Sequence, residues 1–345
     1  MLKGLKINFV VRFVFMTGSR SSFMGSILRS RPDAFRRPAL IILLALALVL
    51  AIQGQPASRN RPQPSPTPSS TPTDTEKLDT VAATADLAER IALLSRFVSE
   101  HSDSAELQRA REMLTAARAA HGEALLDAGD TEGGTALIEL AFSGSPRPWT
   151  DRLLADVIAK LPLALYVRGQ RPPAFAMANE IEKELEDRPE KLLPLAGFYL
   201  SIENGNYARR IVGKAIAAGD DSADAYVVLG MAERLSFDMP ASEKAYAAAL
   251  ERRPDSARIV SSLADVKRAV GKPSEALELY QRLLANDPSI ATVRAGAVMS
   301  LFESGKTAEG EAELEKAVAD DPSNLLLLAS AAYWYATQGN GERAA

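Results

Sequence analysis

Two histidines, His101 and His121, are the only imidazoles in the sequence, and there is no cysteine to supply a thiolate. They stand twenty residues apart, and neither has a carboxylate or second histidine at the spacing that places two ligands on one helix face. Gly305-Lys306-Thr307 has the form of the end of a phosphate-binding loop. That motif needs a glycine five residues before Gly305, where Ser300 stands, and a strand before it. Asp220-Asp221-Ser222-Ala223-Asp224 could touch a cation, but reads better as an acidic turn that caps the next helix. Glu309, Glu311, Glu313 and Glu315 would spread around a helix rather than converge, which makes them a solvated face. Neither G-x-S-x-G nor H-E-x-x-H occurs. No catalytic residue, cofactor or metal ligand is assigned, and an enzyme is not expected.

The elements that carry these residues follow from composition. The chain has 345 residues, 47% hydrophobic, 24% charged and 6% aromatic, which excludes a fully disordered chain and a collagen-like one. Without cysteine, a disulfide-stapled module is excluded too. The net charge of −4 hides a split: residues 1–61 carry ten Lys/Arg against Asp33 alone, and the remainder carries 30 basic against 43 acidic residues. That acidic remainder disfavours nucleic-acid binding.

Residues 39–52, ALIILLALALVLAI, contain no polar side chain and follow Arg29, Arg31, Arg36 and Arg37. This is the layout of a signal peptide or a signal anchor. Fourteen helical residues span about 21 Å against a hydrocarbon core of about 30 Å. Length therefore favours a cleaved signal peptide. The cleavage chemistry favours an anchor, because the best site, after Ala57, has Gln55 where a small residue is required. We expect a basic region at 1–38, whose true start could be Met24, and a transmembrane anchor or signal core at 39–55. In either case the positive-inside rule puts residues 53–345 outside the cytoplasm. The expected location is single-pass in the cell membrane with a cytoplasmic N-terminus, or periplasmic or secreted if the leader is cleaved. Residues 53–76 hold six Pro, four Ser and four Thr, so 56–76 is expected to be a disordered, partly extended linker.

From Leu78 onward, apolar residues recur at helical spacing and no alternating β-branched run appears, so an all-α fold is expected. Pro254, Pro288 and Pro322 are 34 residues apart, as are Gly271, Gly305 and Gly339. Tyr246, Tyr280 and Leu314 keep the same step, and so do Leu229, Leu263, Ala297 and Ala331. The units are 223–256, 257–290, 291–324 and a partial 325–345. At positions 8 and 20 of each unit, Gly230/Ser242, Ala264/Ala276, Val298/Gly310 and Ala332/Ala344 are expected where helix A crosses helix B; Gly310 should compensate for the larger Val298. Glycine at position 15 should end helix A in a left-handed turn. Phe237 occupies that position in the first unit, so its turn is expected to be built differently.

The pattern Tyr226, Leu229, Gly230, Tyr246, Ala249, Pro254 resembles the tetratricopeptide repeat (TPR). Residues 189–222 resemble a unit with a lengthened A–B turn, giving an array over 189–345, while 77–188 reads as degenerate helical repeats. The resemblance implies a right-handed α-solenoid of helix pairs with a concave groove lined by A helices. It implies protein or peptide binding and no catalysis of its own. Carried onto this sequence, the groove positions give Val227, Met231 and Arg234, then Ser261, Asp265 and Arg268, then Met299 and Phe302, then Tyr333. The lysine/asparagine clamp of the chaperone-binding subfamily is missing from these positions.

The last unit stops as helix B begins. Helix A there should expose Leu328, Ala331 and Tyr335, so the chain is expected either to continue past Ala345 or to self-associate through this face. The overall expectation is a membrane-tethered extracytoplasmic scaffold for protein contacts, or an N-terminal interaction segment of a longer protein whose activity lies beyond residue 345.

Overall fold

The computed structural model describes residues 72–345, which form one compact unit. The basic region 1–38, the anchor or signal core 39–55 and most of the linker lie outside the described residues. The linker's end is corrected. The Thr73 hydroxyl accepts from the Glu76 N–H while the Glu76 side chain accepts from the Thr73 N–H, a capping box that starts a helix at Asp74. Among the described residues there is no strand, and no helix is long and apolar enough to cross a membrane.

The α-helices are α1 (Asp74–Ala82), α2 (Leu87–Glu100), α3 (Leu107–Asp127), α4 (Thr131–Ser143), α5 (Asp151–Asp156), α6 (Leu161–Val167) and α7 (Arg171–Glu184). They continue as α8 (Leu193–Ser201), α9 (Gly205–Ala217), α10 (Ala223–Leu235), α11 (Met239–Arg252) and α12 (Ala257–Ala269). The last are α13 (Pro273–Asn286), α14 (Ala291–Glu303), α15 (Thr307–Asp320), α16 (Leu325–Thr337) and α17 (Gly341–Ala344). Each packs mainly on its sequence neighbours, as a linear array requires.

The A–B turns share one construction. At Gly129, Gly169, Glu203, Phe237, Gly271, Gly305 and Gly339 the backbone φ is positive. The next residue's N–H returns to a carbonyl five residues before it, as from Asp238 to Glu233, Lys272 to Lys267 and Lys306 to Leu301. This is the Schellman closure of a helix. From Gly169 to Gly339 the positive-φ residues of these A–B turns recur every 34 positions, so the repeat geometry reaches three units upstream of Gly271, through Phe237 and Glu203 to Gly169.

Two expectations are corrected here. Phe237 does not impose a different turn; it adopts the left-handed conformation at φ 61°, leaving its ring 75% exposed. The A–B turn of 189–222 is not lengthened either, because Glu203 takes φ 58° at the standard position.

A further unit lies at 115–148. Gly122, Gly129, Gly134 and Pro146 have the same mutual spacing as Gly230, Phe237, Ser242 and Pro254. A Cβ on Gly122 would meet Ile138 at 2.7 Å, and one on Gly134 would meet Leu126 at 2.6 Å, so α3 and α4 cross in contact. Six residues, 149–154, then shift the phase before the next unit begins. Trp149 is buried in this step, its indole N–H donating to Ser145 Oγ at 2.8 Å.

The position 8/20 contacts are tight. Ser242 Oγ donates to the Gly230 carbonyl at 2.7 Å, and Ala264 and Ala276 are both buried. Gly310, however, makes room for a different residue from the one expected. A Cβ there would lie 2.6 Å from the Phe302 ring, so the glycine accommodates Phe302 rather than compensating for Val298.

Candidate functional site

The residues read as potential chemistry are occupied by structure. His101 ends α2, stacks on Phe97 at 4.4 Å, and has Nε2 3.2 Å from Lys77 Nζ. His121 is half-buried on α3. Gly305 forms the turn between α14 and α15, so a helix precedes the Gly-Lys-Thr sequence. In the acidic turn, Ser222 Oγ caps the Ala225 N–H, Arg252 bonds Asp221, and Arg253 pairs with Asp224 at 3.0 Å. Among the described residues no cluster of three or more His, Asp or Glu could hold a metal ion.

The nine groove candidates divide into two sets. Val227, Met299 and Phe302 are buried between repeats, which corrects their assignment as lining residues. The reason is visible at Phe302, which is 1% exposed. Position 24 holds Tyr246 and Tyr280 in the preceding units and the smaller Leu314 here. Together with the notch at Gly310, this lets the Phe302 ring turn inward, where it stacks on Trp334 at 5.4 Å. Met231, Arg234, Ser261, Asp265 and Arg268 are half-buried and form the accessible stretch, and Tyr333 is 43% exposed further along.

Within that stretch Asp265, Arg268, Arg234 and Glu303 form one electrostatic cluster. The Tyr280 hydroxyl donates to Asp265 Oδ1 at 2.5 Å, and Arg268 Nε lies 3.6 Å from Glu303 Oε2. Burial pushes the Asp265 carboxyl above the usual carboxylate range, against the Tyr280 hydrogen bond and the charges of Arg268 and Arg234. Burial also pushes Glu303 up, with Arg268 opposing. The Tyr280 phenol is raised far above its ordinary value, first by burial and then by the Asp265 charge. Burial raises Tyr246 as well, opposed by Arg234 and by a hydrogen bond with Ser262.

Tyr246, Tyr280 and Glu303 were not among the groove candidates read from sequence. The signal was the tyrosine pair 34 residues apart, read there only as a mark of the repeat. The notch for Tyr280 is Gly296, where a Cβ would lie 2.5 Å from the phenol ring carbon Cζ.

The last repeat departs from expectation. Ala331 and Tyr335 are buried against Phe302 and α17, and Arg343 donates to Tyr335 Oη at 3.2 Å while pairing with Glu311 at 2.7 Å. Leu328 is exposed as expected, and Leu325, not among the residues expected to be exposed, is more so.

With this geometry in view, the tetratricopeptide repeat family profile matches residues 238–289 and 261–324. Residues 238–324 therefore match the tetratricopeptide repeat. Cellulose synthase operon protein C of Pseudomonas fluorescens (strain SBW25) is 25% identical over 223 residues, which is 52% of this chain and 17% of that protein. The chain thus spans well under two thirds of its relative's length. Among solved structures, the MamA protein is 21% identical, with a TM-score of 0.42 over 47% of this chain and 88% of its own. The C-terminal part of a TPR repeat-containing protein from Cytophaga hutchinsonii is 14% identical, with a TM-score of 0.49 over 71% of this chain and 94% of its own.

Proposed function

We propose that this protein is a non-catalytic scaffold that holds a protein or peptide partner on its helix-A face, centred on Arg234, Ser261, Asp265 and Arg268. The carrying observation is the half-buried charged stretch on successive A helices, beside side chains otherwise committed to packing between repeats. Half-buried arginines, with the exposed Tyr333 further along, suit polar anchoring of a peptide. Capture of partners by the full chain, compared with the Arg234→Ala, Ser261→Arg, Tyr333→Ala variant, tests this. Loss of partners in the variant is expected, and full retention would remove the helix-A assignment.

The scaffold is tethered through residues 39–55 and acts outside the cytoplasm. The basic residues before that apolar run and the proline-rich stretch after it support this. Fractionation and protease accessibility in intact spheroplasts, with and without residues 39–55, test it. A soluble, protease-shielded full chain would contradict it.

A second reading has one supporting observation. The chain aligns with only 17% of its relative, so it could serve as the interaction segment of a longer protein. Sequencing the transcript past codon 345 separates the two readings. At 25% identity, the operon in the relative's name is not carried over to this chain.

A further inference from the structure

Position 4 of helix A meets position 30, at the end of helix B, in more than one repeat. Arg252 Cζ lies 3.9 Å from the centroid of the Tyr226 ring. Arg294 Nη2 pairs with Asp320 Oδ2 at 2.7 Å, and Glu313 Oε1 is 3.9 Å away. In the unit at 115–148 the two positions hold Arg118, on α3, and Gly144, just past α4. A Cβ on Gly144 would lie 2.9 Å from Arg118 Nη1. Leu137 stands where Glu313 stands in the later repeat. The arginine is thus present in both repeats, and in the earlier one neither carboxylate accompanies it.

We propose that Arg118 and the notch at Gly144 form a receptor for one side-chain carboxylate of a protein partner, which takes the place that Asp320 fills beside Arg294. The site stands three units before that of Arg234 and does not rest on the helix-A reading.

The surroundings of Arg118 support this. Its Nε is buried without a hydrogen-bond partner, and among the described residues it makes no ion pair. Burial pushes its pKa below the ordinary arginine range, and no charge opposes the shift. A half-buried cation without a counter-charge is costly, and an anion brought to it offsets that cost. Gly144 is exposed, so the notch opens to solvent. Its backbone, at φ −89° and ψ 3°, does not require glycine. The missing side chain therefore serves no turn; it leaves the guanidinium uncovered. The planar fork of an arginine matches a carboxylate with paired N–H donors. Arg147, on the same turn, is committed to Glu184 and to the Phe142 and Ser143 carbonyls.

The carboxylate is protein-borne because one guanidinium is too little to hold a free small acid against its lost translational freedom. A partner that makes other contacts loses that freedom once. Leu140, 46% exposed and one turn before Gly144, offers such a contact.

The test follows arginine Nε–H signals by nuclear magnetic resonance in the full chain, isotopically labelled in arginine, in a nonionic detergent. The Arg118 signal is identified by its absence from Arg118→Lys. Acetate replaces chloride at constant ionic strength and neutral pH. The Arg118 signal should move along a saturating curve while that of Arg294, already paired, stays in place and reports that the fold is intact. A capped Leu-Asp-Leu tripeptide should half-saturate at about tenfold lower concentration than acetate. In Gly144→Asp the signal should be displaced from the start and lose its response. Gly144→Asn, which fills the notch without a charge, should lose the response too, and carries the test if Gly144→Asp does not fold. An Arg118 signal that moves no more than that of Arg294 overturns the site. A response that survives in the Gly144 variants places the anion outside the notch and overturns the proposal. Inorganic phosphate saturating before acetate overturns carboxylate as the ligand class, and acetate matching the tripeptide overturns the protein-borne source.

Discussion

Tyr280 and Asp265 share a hydrogen bond of 2.5 Å between helix B and helix A of one repeat, and this bond holds a carboxylate where burial disfavours its charge. The folded-state pKa of Asp265 is raised, so the folded chain binds this proton more tightly than the unfolded chain does. Stability from this group is present at low pH and falls as pH rises through the folded value. Asp265→Asn should therefore stabilise the protein at pH 7.5, with the gain shrinking toward pH 4. Urea denaturation at both pH values measures it; destabilisation at pH 7.5 would mean that the charged pairings outweigh burial.

Glu182 and Asp224 behave oppositely. Hydrogen bonds from Arg210 and Arg253, respectively, hold their pKa values below the ordinary range. Stability from these groups is present above about pH 4.5 and lost as pH falls through their folded values. Arg210→Gln should flatten the acid limb of the stability curve. An unchanged limb would show that the Glu182 pair contributes nothing measurable.

Phe237 sits in a left-handed turn with its ring in solvent, where five other repeats place Gly129, Gly169, Gly271, Gly305 and Gly339. A non-glycine residue in that conformation costs about 1–2 kcal/mol, part of which glycine returns as unfolded-chain entropy. Phe237→Gly should raise stability by about 0.5–1 kcal/mol in a denaturant titration. A loss of stability would show that the ring makes a contact worth more than the strain.

Gly296 lets the Tyr280 ring through, since a Cβ there would lie 2.5 Å from Cζ. Gly296→Ala should cost about 1–3 kcal/mol through overpacking and displace the Tyr280 hydroxyl from Asp265. Gly341→Ala, where a Cβ meets nothing within 4 Å, is the matched control and should be nearly neutral.

Position 21 of one repeat meets position 11 of the next, and the charges there are not interchangeable. Arg209 pairs with Glu233 at 3.3 Å, and one interface later Glu243 pairs with Lys267 at 3.0 Å with the signs reversed. Glu233→Lys should destabilise by about 2–3 kcal/mol because its site is buried, and Arg209→Glu should restore part of that. A double-mutant cycle with no coupling would show that the pair does not set which repeats adjoin.

Much of this was legible before any coordinates. The glycines and prolines 34 residues apart mark helix ends whose backbone demands are severe, so their spacing survives in the sequence. The unit at 115–148 has equally clear marks in Gly122, Gly129, Gly134 and Pro146, but the six-residue step after it breaks the period and hides them. Glu203 and Phe237 were illegible for another reason: the turn's hydrogen bonds hold residues in a conformation their side chains do not favour. Among the site residues, spacing gave the helix face but not the depth. Whether position 12 faces the groove or the core depends on the size of the residue at position 24, and this is why Arg234 and Arg268 differ from Phe302.

The proposed function stands or falls on partners being held on the helix-A face. Site-specific photo-crosslinking measures this most directly, with benzoylphenylalanine placed at Ser261 on that face or at Glu278, exposed on α13. Partner crosslinks are expected from position 261, disappearing when Arg268→Gln is added, and none from position 278. Crosslinks from 278 with none from 261 would contradict it.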